Sequence, residues 1–161
     1  GHSNLSLEFS AVDLVSTNIP QAQVFAQQVA DGGVTVTVKQ IPVDTFYAQY
    51  GKWPLCNDSW IYFTYLSNVA FGTLPTSPFN GTQWNHPQYN KLYDQAVSTV
   101  DAAKRAQIIH EMQKIDFDEG GIIIPSYNQT VDLMTDYVQG FEPTTTGIAL
   151  GNFGFAKAWM S

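Results

Sequence analysis

The side chains that most often do chemistry in proteins are few in this chain of 161 residues. There are three histidines, His2, His86 and His110, and one cysteine, Cys56. No metal-binding histidine motif, hydrolase nucleophile motif, phosphate-binding loop or dinucleotide fingerprint occurs. One cysteine cannot form an internal disulfide, and a zinc site needs more soft ligands. The sequence therefore favours a protein that is not an enzyme and that uses neither a cofactor nor a metal.

The acidic residues do not change this interpretation. Asp116, Asp118 and Glu119 crowd the end of a predicted helix, where a solvated surface is the simplest explanation. A small extracellular hydrolase would need carboxylates such as Asp58 and Asp94 to converge on one pocket. A domain that binds a partner through exposed aromatic residues is a further alternative.

The composition limits the possible partners. The net charge of −7 and the isoelectric point near 4.6 argue against a surface for nucleic acid. Hydrophobic residues make up 44% and aromatic residues 14%, which predicts one ordered domain. Only 13% of the residues are charged, and this suits an extracellular protein. No apolar run approaches the roughly 20 residues of a membrane-spanning helix.

The first predicted elements are a strand, a helix and a second strand. Apolar and polar residues alternate over 5–10, which predicts a strand. Asn18-Ile19-Pro20 opens a helix that Asp31-Gly32-Gly33 ends. The β-branched alternation of Val34–Ile41 predicts the second strand. Together they predict a β–α–β unit with parallel strands and a right-handed crossover.

The next segment is predicted to be mostly irregular. A short helix within 42–50 would place Phe46, Tyr47 and Tyr50 on one face. A loop follows, residues 61–66 fit a helix or a strand, and 68–83 is predicted to be a long loop of the kind that is often functional.

Two helices and a pair of strands are predicted next. Pro87 lies in the first turn of one helix, and Asp101 caps the other, which Gly120-Gly121 ends. The predicted buried residues are Tyr89, Leu92, Tyr93, Ala96 and Val97 in the first helix and Ala106, Ile108, Ile109, Met112, Ile115 and Phe117 in the second. Residues 122–128 predict a buried strand, with 131–134 pairing as a hairpin. The tail from Gly140 has no clear period.

Four stretches carry a resemblance to a known family. They are "VADGGVTVTVKQI" (29–41), "YGKWPLCNDSW" (50–60), "FNGTQWNHPQYNKLYDQA" (79–96) and "STVDAAKRAQIIHEMQKIDFDEGGIIIPSYN" (98–128). In order and spacing they resemble the dipeptide and oligopeptide type of substrate-binding proteins of bacterial ABC transporters, the solute-binding protein family 5.

The resemblance implies an α/β fold. It would be a lobe like those of periplasmic binding proteins, of type II and similar to cluster C, with a β–α–β start followed by helices and returning strands. Residues 3–139 would form part of the C-terminal lobe of a longer two-lobed receptor, and 140–161 the hinge or return segment. Gly1-His2 is typical of a tag remnant. The signal peptide would then belong to a preceding part of the receptor.

The resemblance also implies a function. The protein would bind a solute outside the cytoplasm, most readily a peptide, for uptake by an ABC permease. It would lie in the periplasm or at the outer face of the cell membrane, and only a lipid anchor on the full-length protein would attach it to the membrane. No nucleic-acid partner is expected.

The same resemblance supplies candidate ligand-binding residues. They are Trp53, Cys56, Asn57, Asp58, Phe79 and Asn80. Asp58 could hold the α-ammonium group of a peptide, or it could cap a short helix over 59–66. Trp53 and Trp60 could line the cleft or belong to the core. Asn80 could bond to a ligand or serve as a turn residue of Asn-Gly, and Trp84 is expected in the core.

Overall fold

The computed structural model describes residues 5–161 of the chain. The element bounds are β1 Leu5–Val12, α1 Asn18–Ala30, β2 Val34–Ile41, α2 Val43–Ala48, α3 Tyr65–Asn68, a π-helical turn Val69–Thr73, α4 Pro87–Ser98, α5 Ala102–Glu119, β3 Val138–Gln139, α6 Ala149–Phe153, a 3₁₀ turn Phe155–Lys157 and β4 Trp159–Met160. None of the helices within 5–161 is long and apolar enough to cross a membrane.

The chain forms two units. The first unit contains the residues up to Trp60 together with Val69–Asn90, and the second contains Ile61–Asn68 and Lys91–Ser161. The expected tag remnant, Gly1-His2, lies outside the described residues. The division at 139/140 between a lobe and a return segment stays a prediction.

The predicted order of strand, helix and strand and the parallel pairing of the two strands are confirmed in the first unit. β1 and β2 pair in parallel from Leu5 opposite Val34 to Val12 opposite Ile41. A third extended segment lies along the other edge of β1. Ser10 forms a parallel bridge with Cys56, and the Ser10 N–H donates to the Leu55 carbonyl at 2.9 Å. β1 is therefore a central strand, which explains why its last four residues are buried.

Alternation along β1 builds a core on both faces of the sheet. Phe9 and Ala11 pack with Ala22 of α1 on one face. Val12 packs with Ile41 and Phe46 on the other face. Both layers thus depend on side chains of successive β1 residues.

The predicted short helix forms as α2 but ends at Ala48, so Phe46 and Tyr47 lie in it and Tyr50 follows it. The ring of Phe46 is 5.2 Å from that of Tyr47 and 5.4 Å from that of Tyr50. Phe46 is buried and Tyr47 is half exposed. The chain then turns at Gly51, whose φ of +75° is a backbone conformation that favours glycine. Phe46 therefore anchors a face whose two tyrosines reach towards the surface.

The predicted loop over 68–83 is partly helical. Residues 61–64 have no regular structure, α3 begins at Tyr65, and the π-helical turn Val69–Thr73 follows directly. The Leu74 N–H donates to the Val69 carbonyl at 3.0 Å, a bond that spans five residues. The prediction of a loop is therefore wrong for the first part of this segment.

α4 begins at Pro87 as predicted. His86 precedes it, and its Nδ1 accepts from the Tyr89 N–H at 3.2 Å. Tyr89, Leu92 and Ala96 are buried and Tyr93 partly buried, whereas Val97 is 54% exposed, so that assignment is wrong.

α5 confirms its predicted cap, because the Asp101 carboxylate accepts from the Lys104 N–H at 2.8 Å. The helix ends at Glu119, directly before Gly120. Its predicted core is wrong in part. Met112 is buried and Ile108, Ile109 and Ile115 are partly buried, but Ala106 and Phe117 are exposed. At about 100° per residue, Ala106 and Phe117 lie on the opposite side of the helix from Met112.

The predicted strand and hairpin over 122–134 do not form. No strand is present between Gly121 and Met134 in the described chain, and Ile122, Ile123 and Ile124 are 53%, 83% and 59% exposed. A strand needs a neighbour to pair with its backbone, and the second unit offers none here. Its sheet is the short antiparallel pair of β3 with β4.

Candidate functional site

The ends of the parallel strands define one edge of the first unit. β1 ends at Val12 and β2 at Ile41, and the segment through Cys56 runs in the same direction. In open parallel sheets, ligands bind beyond the carboxyl ends of the strands. Asp58 follows Cys56 and therefore lies at this edge.

Asn57 fixes the backbone just before Asp58. Its side-chain oxygen accepts from the Val12 N–H at 3.0 Å, and its amide donates to the Asn18 carbonyl at 2.7 Å. The Ser59 hydroxyl donates to the Asn18 side-chain oxygen at 2.8 Å. These bonds tie Asp58 to the end of β1 and the start of α1, so its position depends on the sheet and not on a free loop.

Tyr50 connects Asp58 with Phe79. The Tyr50 hydroxyl donates to Oδ2 of Asp58 at 2.9 Å and is 3.3 Å from the Phe79 carbonyl oxygen. Burial, the hydrogen bond and the charge of Asp58 raise the pKa of Tyr50 above its ordinary value of 10.0. The hydroxyl therefore stays protonated and remains a donor. The two segments that the resemblance implies as ligand-binding therefore meet through Tyr50, which is not among the candidate ligand-binding residues.

Four rings form a continuous surface, which we call the aromatic wall: Tyr50, Trp60, Phe71 and Phe79. Phe71 and Phe79 stack at 4.7 Å with an angle of 21° between their planes. Trp60 stands nearly perpendicular to both, at 5.3 Å from Phe71 and 6.2 Å from Phe79. Tyr50 meets Phe79 edge to face at 6.2 Å.

The rings of the aromatic wall remain exposed although they contact one another. Trp60 is 39%, Phe71 42% and Phe79 37% exposed. Contiguous clusters of exposed apolar side chains are typical of interaction sites. The wall with Asp58 beside it is therefore the candidate site of the first unit.

Asp58 itself accepts a second bond. Its Oδ1 accepts from the Ser59 N–H at 2.7 Å. The alternative role as the cap of a helix over 59–66 is wrong, because the next helix begins at Tyr65. A carboxylate offers about four acceptor positions, so these two bonds leave Asp58 capacity for a cationic group.

Asn80 is buried behind the wall. Its amide donates to the carbonyls of Thr73 at 3.0 Å and Trp84 at 2.8 Å, and its side-chain oxygen accepts from the Thr82 hydroxyl at 3.0 Å. The side chain thus holds the loop that presents Phe79. Trp84 packs on the buried Tyr89 at 4.9 Å, consistent with its expected place in the core.

Trp53 and Cys56 lie on the core side of the same edge. The indole N–H of Trp53 donates to the Phe46 carbonyl at 3.1 Å, and both residues pack against the cluster of Val12, Ile41 and Phe46. Burial and the charge of Asp58 raise the pKa of the Cys56 thiol to about 11. The structure therefore brings Asp58 and Phe79 to the wall and uses Trp53, Cys56, Asn57 and Asn80 in its support. Contact of any of the six residues with a ligand stays a prediction.

Sequence reasoning missed Tyr50 and Phe71. The sequence predicts Tyr50 on a helical face with Phe46, and it predicts a loop where Phe71 lies in the π-helical turn. Trp60, for which two roles were open, belongs to the wall. Within 5–161 no three histidine, cysteine or acidic side chains come close enough to hold a metal ion.

Comparison with known proteins identifies the fold. No protein-family model matches the sequence, and no curated protein matches it. Solved structures do match. Two of them are the oligopeptide-binding protein AppA from Bacillus subtilis in complex with a nonapeptide (TM-score 0.68, 14% identity) and the periplasmic binding protein DppA from Helicobacter pylori in complex with the peptide STSA (TM-score 0.67, 17% identity). In both comparisons the matched region covers 98% of this chain and 31% of the chain of the solved structure.

A third similar structure has a different ligand. It is NikA from Staphylococcus aureus in complex with Ni(L-His)₂. The TM-score is 0.59 and the identity 17%, and the matched region covers 70% of this chain and 25% of the NikA chain. The fold is therefore the α/β fold of the substrate-binding proteins of ABC transporters, and the predicted fold class is confirmed. The chain spans about a quarter to a third of the length of these structures. AppA and DppA are binding proteins.

Proposed function

We propose that this chain is one part of a two-lobed receptor of an ABC transporter and that its aromatic wall binds a peptide. The observation that carries the proposal is the bond from the Tyr50 hydroxyl to the Asp58 carboxylate, which places a negative charge beside exposed rings. AppA and DppA, which share the fold, were solved with bound peptides.

Asp58 supplies the polar recognition in this proposal. Its carboxylate accepts the α-ammonium group of the peptide in a charge-assisted bond, one of the stronger polar contacts in proteins. The aromatic wall supplies apolar contact for the adjacent part of the ligand. NikA, which shares the fold, was solved with Ni(L-His)₂ in place of a peptide.

The remaining parts of the proposal concern the whole receptor. It lies outside the cytoplasm, held at the membrane by a lipid anchor on the full-length protein, and passes its solute to a permease. Residues 140–161 act as the return segment between its lobes. Binding selects a closed arrangement of the lobes, so one wall alone binds weakly.

A titration followed by NMR tests the proposal on the chain as it is. Tetra-alanine with a free amino group is added to the ¹⁵N-labelled chain, and N-acetyl tetra-alanine serves as the uncharged comparison. We expect millimolar binding of the free peptide, with shifts at Ser59, Trp60 and Phe79, and at least tenfold weaker binding of the acetylated peptide.

Two variants complete the test. Asp58→Asn should weaken binding of the free peptide about tenfold, because the amide lacks the charge. Asp118→Asn makes the same chemical change on the exposed surface of α5 and should leave binding unchanged. Equal binding by the Asp58→Asn variant and the unchanged chain would contradict the proposal, and sub-micromolar binding would contradict the view that this chain is one wall of a cleft.

A further inference from the structure

We propose that the first residue of the bound peptide carries an aromatic side chain, which packs on Phe79 and Trp60 while its α-ammonium group binds Asp58. The inference rests on the proposed function and names the ligand class more closely. It concerns one wall of one unit and needs no part of the chain other than the first unit.

The distances place the two recognition elements within one residue of each other. The Tyr50 hydroxyl contacts the Asp58 carboxylate at 2.9 Å and the Phe79 carbonyl at 3.3 Å, so a single oxygen atom joins them. In an amino-terminal phenylalanine, one carbon atom carries both the ammonium group and the benzyl group. The ring of Phe79 lies 6.2 Å from the ring of Tyr50, whose hydroxyl bonds to Asp58. An amino-terminal residue can therefore reach both the carboxylate and the ring of Phe79, whereas later residues of the peptide have no backbone ammonium group.

The arrangement of the rings favours an aromatic guest. Phe71 and Phe79 are stacked, and Trp60 meets them at 82° and 89°. A ligand at the wall can therefore contact the face of one ring and the edge of another. Aromatic pairs prefer offset stacking and edge-to-face contact at centroid distances of about 4.5–7 Å, and such pairs are worth more than their buried area alone. An aliphatic side chain would gain the area but not this second contribution.

Charge complementarity decides against an acidic first residue. Asp58 bonds directly to the wall through Tyr50, and the chain as a whole carries a net charge of −7. A second carboxylate on the ligand close to Asp58 would face a like charge. The preferred ligand therefore begins with a positively charged amine and an uncharged aromatic side chain.

The test compares three peptides that differ only at the first residue: Phe-Ala-Ala-Ala, cyclohexylalanine-Ala-Ala-Ala and Ala-Ala-Ala-Ala. Dissociation constants come from the same NMR titration of the complete chain. We expect the phenylalanine peptide to bind about five- to tenfold more tightly than tetra-alanine, with the cyclohexyl peptide in between.

Variants assign the preference to the wall. In Phe79→Leu and Trp60→Leu, which keep an apolar side chain, the ratio of the two dissociation constants, for tetra-alanine over the phenylalanine peptide, should fall below about twofold. Phe155→Leu removes a ring that is 59% exposed in the second unit and should keep the full preference.

The outcomes separate the two proposals. If tetra-alanine binds through Asp58 and phenylalanine at the first position gives no gain, the aromatic preference is overturned and the proposed function stands. If the preference persists in both wall variants, the inference is also overturned. If no peptide binds, the proposed function is overturned and the inference with it.

Discussion

The Tyr50 hydroxyl donates a hydrogen bond to the Asp58 carboxylate at 2.9 Å, although Tyr50 comes from the segment just after α2 and Asp58 from the edge of the sheet. The same hydroxyl lies 3.3 Å from the carbonyl of Phe79, which arrives from a third segment. One side chain therefore holds together the three pieces of chain that make the candidate site.

Replacing Tyr50 with phenylalanine should destabilise the first unit and loosen the wall. Loss of a hydrogen bond to a partly buried carboxylate costs about 1–2 kcal/mol of unfolding free energy. Urea unfolding followed by tryptophan fluorescence measures it. Tyr47→Phe is the matched control, because Tyr47 lies close to Tyr50 in the sequence, stacks on it at 6.1 Å and is 48% exposed. An equal loss of stability in both variants would show that the bond to Asp58 contributes nothing.

The Cys56 thiol should be slow to react and should lower stability at alkaline pH. Burial and Asp58 raise its pKa from 9.0 to about 11, so at pH 8 alkylation by iodoacetamide should be at least tenfold slower in the folded chain than in urea. The raised pKa means that the folded state keeps a proton that the unfolded state releases. Its contribution to stability is therefore complete below pH 9 and is lost as the pH rises towards 11.

Cys56→Ala checks the alkaline part of that prediction. The unfolding free energy of this variant should fall less steeply between pH 9 and 11 than that of the unchanged chain. Tyr50, whose pKa is raised above 10.0, adds a further loss in the same direction at higher pH and is present in both proteins. Parallel pH profiles for the two proteins would contradict the prediction.

Asn80→Ala should lower the unfolding free energy by more than the replacement of an ordinary turn residue would. The change leaves the carbonyls of Thr73 and Trp84 without their donor in a region where Asn80 is only 3% exposed. The expected cost is about 2–3 kcal/mol in urea unfolding. Gln27→Ala, an exposed amide on α1, should change stability by less than about 0.5 kcal/mol. Similar values for the two variants would mean that the loop does not depend on the Asn80 amide.

The chain should self-associate through Ile122, Ile123 and Ile124. These adjacent side chains are 53–83% exposed, and contiguous apolar surface of this kind is rarely left uncovered. Sedimentation at rising concentration should show dimers and larger species, and replacing all three with threonine should return the chain to a monomer. Val100→Thr is the control, because Val100 is 92% exposed but lies alone between two helices. Unchanged sedimentation of the triple variant would rule out this segment as the contact.

Local patterns in the sequence were sufficient to predict the elements whose stability is local or whose partner is near. The parallel pair of β1 and β2 follows from two alternating stretches and one amphipathic helix between them. Pro87 and Asp101 mark helix starts through their own chemistry. The failure over 122–134 has a different cause, because an apolar run predicts burial only where another element covers it.

The site shows the same limit. Asp58 and Phe79 were implied by a resemblance in sequence, but their proximity depends on Tyr50, and Phe79 is 29 residues away from Tyr50 along the chain. Phe71 joins the wall because it lies in a π-helical turn, and the pattern of apolar residues in the sequence does not predict such a turn. Asn57 and Asn80 act by bonding to backbone carbonyls and N–H groups. Nearly every residue has these backbone groups, so the sequence does not indicate which of them an asparagine will contact.

The enclosure of Asn80 also bears on how the protein ages chemically. An asparagine followed by glycine deamidates when the next backbone nitrogen attacks the side-chain carbon, and this requires the side chain to rotate towards it. The Asn80 amide is held by two carbonyls, and its oxygen is held by Thr82. The Asn80-Gly81 pair should therefore survive long storage of the folded chain and convert to aspartate and isoaspartate once the chain is unfolded.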